Sequence, residues 1–436
     1  MQCFVVNFED IKGKRIDPSY YLNPINIKHS ISLGSVVDVK GGKRIPKGYY
    51  YSDNITSFKY LRVDNIGENG FIDWGNLKFI SGDVYRILER YKIENDDVII
   101  SIAGTIGKIS YVENLSQNVI LTENCAKLIV KQRENLLPSF LKLILELPLS
   151  QKQMQQGFIH TTIPKLGLDK IKDLQISLPQ IEVQEQIITI MDKAHNSRKA
   201  MEAEAEGLLS GIDDYVLGEL GIKITEVKQK KCFVVMVNEI KEGRIDPDYC
   251  VEKNSYKQAI GISTKTISEL LGANLLVGKK GASITKSKTL DGNIPVIAGG
   301  QSVPYYHDQS NFNNAITISS SGAYAGYVWY HDYPFWASDC TVICSSNENK
   351  ISTEYLFYFL KSQQKTIYKR QRGAGQPHVY LKDLEDFIIP LPPLETQNKI
   401  ALEVKTRTQK ATQLKEEAKS LLQKAKDEVE KMILGN

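Results

Sequence analysis

Apolar residues recur at helical spacing over two long stretches of the chain. In the first, Ile187, Met191, Ala194, Met201, Ala205, Leu208, Ile212, Val216 and Leu220 follow one another at intervals of three, four or seven. In the second, Ile400, Val404, Ala411, Leu414, Ala418, Leu421, Ala425, Val429 and Met432 do the same with near-heptad spacing. Each pattern puts one apolar stripe on a helix of about forty residues, roughly 60 Å long at 1.5 Å per residue. Pro179 and Pro392–Pro393 sit at the starts, where a missing N–H costs nothing, and Gly221 and Gly435 sit where a C-terminal cap belongs. Shorter runs read differently. Val98–Ile102, Ala126–Val130, Ala315–Ile318 and Cys340–Ile343 are strand-like and bounded by turn residues, whereas Leu136–Leu147 and Glu354–Lys365 read as short amphipathic helices. The order glycine-rich loop, strand, helix, proline occurs in both halves. The predicted fold is mixed α/β (α+β), with two β-rich domains separated by two long helices.

The repetition extends to identity. Residues 3–20 (CFVVNFEDIKGKRIDPSY) and 232–249 (CFVVMVNEIKEGRIDPDY) agree at eleven of eighteen positions when offset by 229. Residues 168–187 (LDKIKDLQISLPQIEVQEQI) and 381–400 (LKDLEDFIIPLPPLETQNKI) agree at eight of twenty when offset by 213, and Pro164 and Pro377 align at that same offset. Between these anchors the second half is 16 residues shorter and its sequence differs. A frame was duplicated and its inserts diverged. Such a chain presents two different surfaces in two equivalent poses.

Charge refines the picture of the helices. The chain carries only +4 overall, but residues 180–220 hold nine acidic and three basic residues while 393–436 hold seven acidic and nine basic. Opposite net sign favours pairing, and within one chain the simplest pairing is antiparallel across a pseudo-twofold axis. The plainer reading, in which each stripe only covers its own globular domain, stays open. The globular parts keep a modest basic excess, compatible with phosphate contacts and also with an ordinary solvated surface.

Several function classes are disfavoured. No run of 18 or more apolar residues occurs, which predicts no membrane span, and the N-terminus lacks the pattern of a secretory leader, so a cytoplasmic location is expected. Six cysteines (Cys3, Cys125, Cys232, Cys250, Cys340 and Cys344) include no CxxC pair, and buried reduced thiols are expected. Asp17-Pro18-Ser19-Tyr20 and Asp246-Pro247-Asp248-Tyr249 lack the second proline of an adenine methyltransferase [DN]PP[YF] motif, and no glycine-rich cofactor fingerprint accompanies them. Their place at both domain starts predicts structural turns. Residues 281–287 (GASITKS) lack the glycine that precedes the lysine of a P-loop. No catalytic residue, metal site or cofactor is expected.

Residues 101–108 (SIAGTIGK) resemble a glycine loop seen in many target-recognition domains, and 318–328 (ISSSGAYAGYV) another version, followed by 334–339 (PFWASD). Gly375-Gln376-Pro377-His378 and the stretch IPLPPLxxQxxI from Ile389 to Ile400 resemble the junction between such a domain and its helix. In this order, twice over, the chain resembles the specificity subunits of type I restriction–modification enzymes along essentially its whole length. The resemblance implies target-recognition domains at 1–175 and 222–388, each reading one half of a split, asymmetric double-stranded DNA site. It implies helical spacers at 176–221 and 389–436 that set the unread gap. It further implies docking of two copies of a DNA adenine methyltransferase subunit and, in the full enzyme, of a restriction/translocase subunit. The specificity subunit itself is then non-catalytic. The first half departs at the junction, with GFIHTTIP at 157–164, so a role for His378 does not carry over to His160.

A DNA reader needs cations for phosphates and side chains that reach base edges. In the first domain the candidates are Lys43, Arg44 and Lys47 in a glycine-rich loop, Thr105 and Lys108 in the glycine loop, and Arg62. In the second they are Lys279, Lys280 and Lys286, then Ser320 and Tyr324 in the 319–327 loop, and Arg370 and Arg372. Tyr49-Tyr50-Tyr51 and Tyr305-Tyr306 read as half-buried strand or loop residues rather than a stacking platform. Two other function classes stay open. One is a stand-alone DNA-modifying enzyme, against which the missing cofactor motif counts. The other is a coiled-coil scaffold with two divergent protein-binding domains.

Overall fold

The structure is a computed structural model that describes residues 30–67, 70–157, 164–222, 261–300, 303, 305–373 and 375–434. The repeat anchors at 3–20 and 232–249, with their Asp-Pro turns, lie outside these residues, as do His160 and Gly435. The chain divides into two compact units, Met1–Ala200 with Glu417–Asn436, and Met201–Glu416.

The described residues of the first unit form strands β1 (Ser30–Ser32), β2 (Val37–Gly41), β3 (Phe58–Leu61), β4 (Lys78–Phe79), β5 (Val98–Ser101), β6 (Ile109–Tyr111), β7 (Asn118–Leu121), β8 (Cys125–Val130) and β9 (Gln175–Ser177). They build a four-stranded sheet in the order β2-β8-β5-β6, a three-stranded sheet β4-β3-β7 and a pair β1-β9. Those of the second unit form β10 (Ser263–Thr266), β11 (Leu276–Lys280), β12 (Ile294–Ile297), β13 (Tyr306–His307), β14 (Ala315–Ser319), β15 (Val328–His331), β16 (Trp336–Ala337), β17 (Cys340–Ser345) and β18 (Ile388–Leu391). Their sheets run β11-β17-β14-β15, β13-β12-β16 and β10-β18. Strand for strand the wiring is the same, down to the parallel pairing of β3 with β7 and of β12 with β16. The inserts that diverged in sequence therefore kept one topology.

Burial explains why the strand signals were apolar throughout rather than alternating. In β5, Val98 and Ile100 join one core cluster while Ile99 joins another on the opposite face. A strand covered on both sides reads as a continuous apolar run. The first core also takes in helix α3, Pro138–Glu146, whose proline opens the helix at its first position. Before it come α1 (Leu33–Val36) and α2 (Gly82–Leu88), and after it α4 (Pro148–Gly157) and α5 (Leu168–Lys172). Eighteen residues, α2 among them, separate β4 from β5, against seven between β13 and β14. Much of the first insert's extra length lies there.

The long helices are α6 (Ile181–Ser210), α7 (Ile212–Glu219) and, after the second unit's α8 (Ile267–Gly272), α9 (Thr353–Ser362), α10 (Gln364–Tyr368) and α11 (Leu381–Leu384), the continuous α12 (Leu394–Leu434). The first run, expected as one helix, is interrupted at Gly211. Gly221 adopts the left-handed conformation, φ 62°, of a C-terminal cap. Within the second unit Glu219 pairs with Lys399 at 2.8 Å, Arg407 lies over the Tyr215 ring at 4.4 Å and reaches the Gly211 carbonyl at 3.4 Å, and Ala205 packs with Ala411 and Leu414. Rising numbers on one helix meet falling numbers on the other, so the pairing is antiparallel. The stripes also cover globular cores. Ile187, Met191, Ala194, Ala425, Val429 and Ile433 join the first unit's core, and Val216, Leu220, Ile400 and Val404 the second's. Both readings of the stripes hold, each over part of the length. No helix among the described residues is long and apolar enough to cross a membrane.

Candidate nucleic-acid interface

In each unit a cationic loop leaves the four-stranded sheet at a glycine pressed against backbone. The Gly42 N–H donates to the Cys125 carbonyl at 2.9 Å, and a Cβ there would lie 2.1 Å from the Thr122 carbonyl oxygen. The Gly281 N–H donates to the Cys340 carbonyl at 2.8 Å, and its Cβ would lie 2.7 Å from the Ala337 oxygen. Only glycine fits so close an approach. Cys125 and Cys340 are thus equivalent, and burial pushes both thiols up to about 12. Both are free, as is Cys344; the other three cysteines lie outside the described residues.

After Gly42, Lys43 and Lys47 are exposed, and Arg44 donates its Nε to Glu123 Oε1 at 2.5 Å. Arg44 and Arg62 border one cleft of about 660 Å³ with Tyr49, Tyr50, Tyr51 and Glu123. Arg62 is half-buried, with Nη1 3.5 Å from Asp64. The tyrosine triplet, expected as half-buried strand or loop residues, lies in a loop but is more exposed than that: Tyr50 is 82% exposed, and Tyr49 and Tyr51 are exposed at the cleft mouth. Tyr306 is likewise exposed, whereas the Tyr305 hydroxyl donates to the Ile284 carbonyl. Around Gly281, Lys279 and Lys280 end β11 and Lys286 opens a short 3-10 turn, all three exposed.

The glycine loops are held from within. Ser101 Oγ donates to the Thr105 carbonyl at 2.6 Å and accepts from the Lys108 N–H at 2.9 Å, while Gly104 and Gly107 take φ values of 77° and 87°. Thr105 is exposed at the tip, but Lys108 Nζ donates to the Ile66 carbonyl at 2.8 Å, so its charge is turned onto the fold. In the second loop Ser320 is buried and Tyr324 exposed. Each glycine loop is bridged to the junction ahead of the long helix: Ala103 to Lys165, and Ser321 to His378. The neighbouring bonds match too, Leu166 N–H to the Ile102 carbonyl at 2.9 Å and Val379 N–H to the Ser320 carbonyl at 3.0 Å. Lys165, one residue after Pro164, therefore stands where His378 stands, a correspondence the 213-residue offset already contained.

Arg370 and Arg372 are not the exposed cations their sequence suggested. Arg370 is 3% exposed; its Nη1 donates to Asp386 Oδ1 at 2.5 Å and to the Asp383 carbonyl at 3.0 Å, and its guanidinium lies over the Phe387 ring. Arg372 is ion-paired to Asp383, and its backbone pairs with His378. Both arginines brace the junction. Among the described residues no group of three or more His, Cys, Asp or Glu could hold a metal ion.

The type I restriction modification DNA specificity domain family matches residues 27–207 and 261–424. A putative type I restriction enzyme MjaX specificity subunit of Methanocaldococcus jannaschii is 23% identical over 397 residues, 86% of each chain. The type I restriction enzyme EcoBI specificity subunit of Escherichia coli is 25% identical over 154 residues, 35% of this chain and 32% of that subunit, so the similarity spans about a third of its length. The crystal structure of a type I restriction–modification S subunit from M. genitalium superposes with a TM-score of 0.51 at 17% identity, covering 94% of this chain and 97% of that one. With the family match falling once on each half of the repeat, the chain belongs to the type I restriction–modification DNA specificity subunits.

Proposed function

We propose that the chain reads an asymmetric, bipartite double-stranded DNA site, one half through each unit's loops, as the non-catalytic member of its complex. One observation carries this reading: a single sheet wiring is used twice beneath dissimilar loops. Equivalent frames give the loops equivalent poses, and different side chains give different readouts. Residues 1–175 and 222–388 are the target-recognition domains, and 176–221 and 389–436 the spacers. Lys43, Lys47, Lys279, Lys280 and Lys286 serve phosphates; Arg44, Arg62, Thr105 and Tyr324 face base edges; Lys108, Ser320, Arg370 and Arg372 hold the loops in shape. The helices dock two copies of a DNA adenine methyltransferase subunit and the restriction/translocase subunit, in the cytoplasm, and the chain needs no cofactor.

The test is co-expression with the methyltransferase subunit and long-read sequencing of the methylated genome. A split adenine-methylated motif with two dissimilar halves is expected, and exchange of residues 22–165 for another family member's insert should change one half only. Absence of a split motif overturns the reading. Purified chain that methylates DNA without a partner would support a stand-alone enzyme instead.

A further inference from the structure

We infer that Arg44 reads a guanine in the half-site recognised by the first unit, with its guanidinium held in place by Glu123. The inference rests on the DNA-reading function proposed above.

Arg44 leaves the loop just after the wedged Gly42, and its side chain is 79% exposed. An arginine so exposed ordinarily samples many rotamers, but this one is tethered. Its Nε donates to Glu123 Oε1 at 2.5 Å. Glu123 is itself fixed, because its Oε2 accepts from Thr122 Oγ1 at 2.9 Å and lies 3.3 Å from the Tyr60 hydroxyl. Tyr60 is buried, and the same hydroxyl donates to the carbonyl of Lys43, the residue before Arg44, at 2.7 Å. Tyr60 thus fixes the backbone at one end of the tether, and Thr122 fixes the carboxylate at the other.

The carboxylate occupies Nε and leaves the two terminal nitrogens available. Two parallel N–H donors on a fixed plane match the O6 and N7 acceptors that guanine shows in the major groove. Such a fork also fits a phosphate, but the exposed Lys43 and Lys47 on the same loop already supply cations for the backbone, which leaves the ordered fork of Arg44 for a base. Pre-ordering a side chain also lowers the entropy lost on binding. The second unit anchors its loop to the same turn, with Ser283 Oγ donating to Asp339 at 2.9 Å and the Ile284 N–H to Ser338 Oγ at 3.2 Å, but it places no guanidinium there. Among the described residues, this tethered arrangement belongs to the first unit alone.

The experiment uses the full chain in complex with its methyltransferase subunit and a duplex library randomised across the half-sites. The unaltered complex should select a split motif containing a G·C pair that Arg44→Ala relaxes. Discrimination at that one position should fall roughly 5- to 150-fold, with the rest of the motif intact. Glu123→Gln keeps an acceptor but loses the charge, and should relax the same position by less. If Arg44→Ala instead weakens all sequences equally and lowers the salt slope by about one, Arg44 is a phosphate contact and the inference is overturned. Unchanged selection overturns it as well. Should Arg44→Ala prove poorly folded, Arg44→Lys decides, because it keeps the charge and removes the paired donors; full retention of the G·C preference overturns the inference. A complex that selects no split motif at all fails the proposed function rather than this assignment.

Discussion

The two units share one wiring but bury different chemistry in the layer between their sheets. In the first, Lys127 and Asp97 form a pair at 3.0 Å with side chains 8% and 4% exposed. Lys127 also donates to the Lys92 carbonyl at 2.7 Å, and Asp97 accepts from the Glu94 N–H at 2.8 Å. Burial raises the Asp97 carboxyl above its usual range despite the lysine beside it. Strand register places Val342 where Lys127 stands and Ala315 where Asp97 stands, both within an apolar cluster. The second unit has its own polar insertion. His331 stands where the first unit has Val112; its ring is buried, with Nε2 2.9 Å from Thr317 Oγ1, and burial pulls it down to about 4. One device is unchanged: an Asx residue at positive φ ahead of the central strand, held by a tyrosine. Tyr111 donates to Asp96 at 2.5 Å, and Tyr330 to Asn314 at 2.7 Å. The fold is therefore set by the face that packs on the helices and by this turn. The opposite face tolerates either a charged pair or an apolar one.

The largest expected effect tests whether these positions are interchangeable. Lys127→Val or Asp97→Ala alone should cost about 3–5 kcal/mol, because each leaves a buried charge without its partner. Both together copy the second unit and should recover most of that loss in denaturant unfolding, with hydrogen exchange assigning the change to the first unit. A double variant as unstable as either single one would break the equivalence.

A smaller effect comes from His331. Its ordinary pKa is 6.5 and its folded value about 4, so the unfolded chain takes up a proton first as the pH falls. Stability from this site is complete above pH 6.5 and is lost between there and about pH 4, by at most about 3 kcal/mol. His331→Val, which copies the first unit, should remove that share of the acid sensitivity when unfolding is compared at pH 7 and 4.5. An unchanged pH profile would show that the histidine is solvated. The smallest effect separates the two shared turns. Tyr111→Phe loses a bond to a carboxylate and should cost about 1.5–3 kcal/mol, whereas Tyr330→Phe loses one to an amide and should cost about 0.5–1.5 kcal/mol. Equal costs would mean that Asp96 draws its support from Arg133, which it meets at 2.6 Å, and not from the tyrosine.

The sequence revealed whatever has a period. The helical stripes and the strands at Val98, Ala126, Ala315 and Cys340 survive as observed elements, and the repeat is seen in the strand wiring, its anchors at 3–20 and 232–249 lying outside the described residues. The three-stranded sheets did not show themselves, because β4, β13 and β16 are two residues long and no alternation can register in so few. The interruption at Gly211 was hidden because the apolar stripe continues straight through it. At the candidate interface, loop positions were legible but orientations were not. Arg370 read as a phosphate ligand from its neighbours, yet Asp386 and Phe387 bury it, and nothing local marks that pairing. Lys108 looked equally free and is spent on the Ile66 carbonyl. The tether of Arg44 depends on Glu123, brought close only when Gly42 packs beneath the turn at Thr122.

The antiparallel contacts of Glu219 with Lys399, Gly211 with Arg407 and Ala205 with Ala411 act like the teeth of a zip. Inserting a turn of helix into one side alone would strand every tooth beyond it. A lineage that changes this length has to edit two distant places in the same gene in step, by equal amounts. Exchange of an insert between the repeated anchors leaves every tooth in place, so new loop sets should arise far more readily than new lengths.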